Sequence, residues 1–76
     1  MVSTHDKNGN PIYISFTDDC GENEGGYYCE IYKGIFDLMD ESVDYFVVHK
    51  EWIENAKNPL ETAEKIVIEY VNEQEY

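Results

Sequence analysis

Asn58-Pro59-Leu60-Glu61-Thr62-Ala63-Glu64-Lys65-Ile66-Val67-Ile68-Glu69-Tyr70-Val71-Asn72-Glu73 is the stretch whose reading decides the fold. It spells one helix. The Asn58 side chain suits an N-cap, because its oxygen can accept from the free amides of the first turn. Pro59 falls at the first helical position, where a missing N–H costs nothing. Glu61 falls at the third, which places a carboxylate near the positive helix end. At 100° per residue, Leu60, Ala63, Ile66, Val67, Tyr70 and Val71 occupy one arc of roughly 140°. Glu61, Lys65, Glu69 and Asn72 lie opposite, with Lys65 four residues from both glutamates. A helix with one apolar face needs a sheet or a second helix to cover it. The rest of the chain supplies short strands.

Outward toward the N-terminus, Val2 to Thr17 reads as a hairpin. Asn8-Gly9 supplies the positive φ angles of a tight turn within Asp6-Lys7-Asn8-Gly9-Asn10. Pro11 opens the second strand, where its missing donor is tolerated. Ile12, Ile14 and Phe16 alternate with Tyr13, Ser15 and Thr17, a period of two that turns the first set toward a core. Asp18 to Gly26 is a loop of four carboxylates and three glycines, expected to be mobile. Tyr27 to Lys33 is a third strand, with Tyr27, Cys29 and Ile31 on one face and Tyr28, Glu30 and Tyr32 on the other. Gly34 to Ser42 reads as an extension of that strand into a hairpin turning at Asp40-Glu41-Ser42, with a single helical turn as the alternative. Val43 to His49 is rich in β-branched and aromatic residues. Apolar groups on both of its faces place it centrally in the sheet. Trp52, Ile53 and Ala56 suggest a further turn or two of helix before Asn58-Pro59 interrupts it. Glu73 to Tyr76 are expected to fray. The expected architecture is a single α+β domain over residues 1–76: a small antiparallel sheet of three to four strands with the C-terminal amphipathic helix packed on one face.

Size and charge narrow the function classes. A chain of 76 residues buries about 60% of its unfolded surface, so its core is small. The sequence starts without an apolar run behind basic residues, and no stretch approaches the roughly 20 apolar residues of a membrane span. The expectation is a cytoplasmic protein with reduced thiols. Seventeen Asp and Glu face five Lys and no Arg, for a net charge of −12. Direct nucleic-acid binding requires cations to neutralise phosphates, so that class is disfavoured, as are anionic membranes. A strongly acidic domain is steered instead toward basic surfaces.

Cofactor and catalytic chemistry find little support. Cys20 and Cys29 are nine positions apart, not the two to four of structural zinc sites, and the histidines are remote. Asp18-Asp19-Cys20-Gly21-Glu22-Asn23-Glu24 offers oxygens to a hard cation, but it lacks the order and the flanking helices of an EF-hand. Neither cysteine has a histidine placed by the sequence as its base, and a domain this small leaves little room for a substrate cleft. No cofactor and no enzymatic activity are expected.

What remains is a combination. Acids cluster at Asp18, Asp19, Glu22 and Glu24, and again at Asp37, Asp40, Glu41 and Asp44. Seven tyrosines accompany them. Carboxylates two apart on a strand, or four apart on a helix, lie roughly 6–7 Å from each other, close to the spacing of phosphates along one nucleic-acid strand. Tyrosine supplies interface anchors at low entropy cost. In size and composition the chain resembles the small acidic inhibitors of phages and mobile elements, including DNA mimics and some anti-CRISPR proteins. That resemblance implies a non-enzymatic inhibitor that occupies a basic nucleic-acid-binding surface of a partner protein, with those eight acids as its contacts. The alternative is a small structural or assembly subunit held to a permanent partner through an aromatic surface.

Overall fold

In the computed structural model, which describes residues 1–34 and 41–76, four antiparallel strands form one sheet and the C-terminal helix packs across it. The strands are β1 (Val2–His5), β2 (Pro11–Asp18), β3 (Tyr27–Lys33) and β4 (Asp44–Val48). A 3₁₀ turn covers Gly21–Asn23, the short helix α1 spans Lys50–Ile53 and the long helix α2 spans Pro59–Asn72. The fold is α+β. The reading of Gly34 to Ser42 as a hairpin or a helical turn falls mostly on residues 35–40, which lie outside the described residues.

Strand alternation builds the core. Ile12 and Ile14 of β2, Cys29 and Ile31 of β3 and Val48 of β4 turn one way and are fully buried. Ala63, Val67 and Val71, spaced four apart on α2, descend on them, and Ile53 of α1 closes the side. Each fully buried Ile or Val contributes about 1.5–3 kcal/mol. Asn58 caps α2 as its sequence suggests, its Oδ1 accepting from the Glu61 amide at 3.2 Å. Leu60 departs from expectation: it is 42% exposed. Its angular position on α2 is the same as that of the buried residues, so the exposure is an end effect of the first turn.

Two further expectations are corrected. The strand order is β1-β2-β3-β4, which puts β4 at an edge and not at the centre. Its second apolar face is not core; Tyr45 lies on the outer side of the sheet, stacked on Tyr28. The C-terminal residues, expected to fray, are tied down. The Lys7 amide donates to the Gln74 carbonyl at 2.9 Å, and the Tyr76 amide donates to Asp6 Oδ2 at 3.2 Å.

Asp6 is the buried charged residue among the described residues. Its Oδ1 accepts from the amides of Asn8 (2.9 Å) and Asn10 (2.8 Å), and its Oδ2 from Asn10 Nδ2 (2.9 Å) as well as Tyr76. Burial alone pushes this carboxyl up, but the four donors outweigh it and hold the pKa at about 2 against an ordinary 3.8.

Val67→Asp places an unpaired charge at the centre of the buried stripe. It is expected to abolish the cooperative melting transition followed by circular dichroism. Glu69→Gln, on the exposed face, should change stability by less than about 0.5 kcal/mol. A Val67→Asp protein that melts cooperatively would mean that α2 buries a different face.

Candidate functional site

The β2–β3 loop is built, not loose. Asp19 Oδ1 accepts from the Cys20 amide (2.9 Å) and Oδ2 from Asn23 Nδ2 (2.8 Å). Asn23 then reaches across to the start of α1, its Oδ1 accepting from the Lys50 amide at 2.9 Å and its Nδ2 donating to the Val48 carbonyl at 3.3 Å. The Gly26 amide closes the loop on the Asn23 carbonyl at 2.9 Å. Only glycine fits at position 26, because a Cβ there would stand 2.6 Å from Asn23 Nδ2 and collide with the Val48 carbonyl. Gly25, at φ +103°, takes a conformation that side chains rarely adopt.

This brace turns carboxylates outward. Asp18, Glu22 and Glu24 are exposed, while Asp19 is half-buried. Asp18, Asp19 and Glu24 border a groove of about 330 Å³ floored by Gly25, Gly26 and Tyr27. The Asn23 and Cys20 hydrogen bonds hold the Asp19 carboxyl below its ordinary value. Among the described residues no group of three or more His, Cys, Asp or Glu is placed to hold a metal ion. Cys20 is exposed beside these acids; Cys29 is buried, and burial pushes its thiol up to about 12.

The second acidic cluster divides. Glu41 is exposed, and Asp37 and Asp40 lie outside the described residues. Asp44 belongs to the core-facing row of β4, opposite Ile31. Its Oδ2 accepts from both Tyr70 OH (2.6 Å) and Tyr76 OH (2.7 Å), and its Oδ1 from the Tyr45 amide (2.8 Å). Asp44 therefore fastens the end of α2 and the tail to the sheet. Burial pushes its carboxyl up, and the tyrosine bonds overcome that and lower it. The Tyr70 hydroxyl is raised chiefly by its bond to Asp44, and that of Tyr76 chiefly by burial with the same bond added.

The two clusters are not side by side. Tyr27 pairs with Val48 and Ile31 with Asp44, so the loop acids and Asp44 stand at opposite ends of the β3–β4 ladder, roughly 13 Å apart along the strand. Sequence reasoning missed Asp6, Asn23 and the internal role of Asp44. The Asp6-x-Asn8-Gly9 spacing carries the side-chain turn signal that could have found the first. The other two also have local partners in Asp19 and Tyr45, but the bonds that give them their bracing role reach 25 or more residues along the chain, where no local pattern points.

No protein-family model, curated protein or solved structure matches this chain. Among the described residues no helix is long and apolar enough to cross a membrane.

Asp6, Asp19 and Asp44 all have pKa values depressed on folding. Such groups add stability that is complete above the unfolded value and is lost as pH falls through the folded one. Stability measured by urea unfolding at stepped pH should therefore fall between about pH 4 and pH 2, and Asp44→Asn should shrink that fall. Tyr70 and Tyr76 are raised above 10.0, so the opposite limb should appear at alkaline pH, with stability lost above about pH 10. A flat profile from pH 4 to pH 2 would mean that these bonds are absent in solution.

Proposed function

We propose that this protein is a non-enzymatic acidic binding module that occupies a basic, nucleic-acid-binding surface of a partner protein. The observation that carries the reading is an unbalanced surface. The ion pairs among the described residues are Lys7–Glu75 (3.6 Å) and Lys65–Glu61 (3.8 Å), and neither reaches Asp18, Glu22, Glu24 or Glu41. Those four exposed carboxylates stand without a counter-ion on a braced loop and at the approach to β4. A cationic groove can take them without breaking any internal pair. Asp37 and Asp40 complete the proposed set. Asp19 and Asp44 support it from within, since both carboxylates are already hydrogen-bonded inside the fold. A cytoplasmic setting fits the free thiols of Cys20 and Cys29.

The exposed, stacked Tyr28 and Tyr45 favour the second reading, an assembly subunit held through an aromatic surface. Salt separates the two: capture by charge weakens steeply above physiological ionic strength, and an apolar interface does not.

The test is competition. A partner captured from host lysate is loaded with duplex or single-stranded nucleic acid, and the protein is added. The unmodified protein should displace the nucleic acid. Changing Asp18, Glu22, Glu24 and Glu41 together to amides should abolish displacement, since each exposed contact contributes only about 0.2–1 kcal/mol. Changing Glu61, Glu69, Glu73 and Glu75 removes equal formal charge and should matter less. Equal loss from both sets would reduce the effect to nonspecific attraction, and no loss from either would end the mimic reading.

A further inference from the structure

The face of the sheet turned away from α2 is a tyrosine surface. In register, Tyr13 stands beside Tyr32; Ser15, Glu30 and Tyr45 form the next row; Thr17, Tyr28 and Val47 the third. Among the described residues no helix covers it, because α1 and α2 both pack on the other side. Tyr28 and Tyr45 are 38% and 62% exposed, and their rings lie 6.1 Å apart at 22°. Glu30 is the carboxylate at the centre of these rows. Its Oε2 accepts from Tyr32 OH at 3.0 Å, which holds the carboxylate on the outer face beside that ring. None of the five lysines belongs to the outward-facing rows of the strands. Lys7 sits in the β1–β2 turn, Lys33 turns to the core side and reaches the Tyr76 carbonyl at 2.6 Å, and Lys50, Lys57 and Lys65 follow the sheet in the chain.

We propose that this face receives arginine side chains of the basic partner, with the guanidinium meeting Glu30 and lying over Tyr28 and Tyr45. The inference rests on the acidic-module reading above and assigns a second, chemically distinct contact to it. The ligand class follows from three properties of the surface. Electron-rich ring faces attract cations, and a planar guanidinium stacks where an ammonium only touches. A carboxylate held by a neighbouring hydroxyl meets guanidinium with paired donors. The outward-facing strand rows carry no lysine to repel a cation, and the net charge of −12 favours one. Nucleobases also stack on tyrosine, but their phosphates would meet that same charge. A second copy would bring Glu30 against Glu30.

The probes are a short peptide alternating arginine and glycine and its lysine-for-arginine counterpart of equal charge. Binding is followed by calorimetry and by backbone amide shifts of the full chain. The arginine peptide should bind about two- to fivefold more tightly than the lysine peptide. Shifts should centre on Tyr28, Glu30, Tyr32 and Tyr45. Tyr45→Ala and Glu30→Gln should each remove about that factor and erase the preference for arginine. Tyr45→Phe should retain it, and Glu61→Gln, with equal charge removed, should leave the preference intact. Equal affinity for both peptides, with shifts confined to residues 18–24, would overturn this inference while leaving the acidic-module reading in place. Failure of both peptides to bind at low salt would overturn both. Shifts on the tyrosine face that grow with protein concentration alone would assign it to a second copy of the chain and overturn the inference.

Discussion

The buried carboxylate of Asp6 is the constraint on which the rest of the structure depends. A charge taken from water is tolerated only when its lone pairs are filled, and Asp6 fills them from both ends of the chain. Its bonds to Asn8 and Asn10 shape the turn that sets β1 against β2. Its bond to the Tyr76 amide brings the residues after α2 back to that turn. Asn72 strengthens the same junction, its Nδ2 donating to Thr4 Oγ1 at 3.1 Å and to the His5 carbonyl at 2.6 Å. With α2 held there, Ala63, Val67 and Val71 close the buried cluster formed with the inward side chains of the sheet. Among the described residues the fully buried core is nine small or aliphatic side chains and no aromatic ring, so polar fastening at the edges has much to hold.

Asp44 performs the matching task at the far edge. Its two tyrosine donors bind β4 to the end of α2, and the Phe46 and Tyr70 rings, 4.7 Å apart, pack beside them. Two carboxylates that composition alone would assign to a repulsive surface thus work as acceptors inside the fold. Asp19 is filled in the same way within its loop, while Asp18, Glu22, Glu24 and Glu41 are exposed. Charge on this protein therefore divides into a small fastening set and a larger presented set, and net charge by itself cannot separate them.

What the sequence revealed was what local periodicity encodes. The capping of α2, its apolar stripe, the Asn8-Gly9 turn and the alternation of β2 and β3 all depend on neighbours within a few residues. What it concealed depends on distant ones. Tyr76 meets Asp6 across 70 residues and Asp44 across 32, so a tail that reads as loose in isolation is ordered by partners the pattern cannot name. The same holds for β4: two apolar faces suggest a central strand, but an aromatic pair on the outer side produces the same pattern at an edge. Of the candidate contacts, the exposed loop acids Asp18, Glu22 and Glu24 were legible because glycine and carboxylates cannot bury themselves. Asp44 was not, because a residue at the start of a strand faces in or out according to a register that only pairing decides.

The alternation of the strands has a consequence for how such a protein changes over generations. Successive residues of β2, β3 and β4 answer to different demands, one set filling the space beneath α2 and the next set meeting solvent. A substitution at Thr17, Tyr28 or Tyr45 alters the presented surface while the isoleucines and valines behind it keep their packing. Mutational drift on one side of the sheet is thereby decoupled from foldability on the other. The scaffold can acquire new recognition chemistry by single steps without passing through an unfolded ancestor.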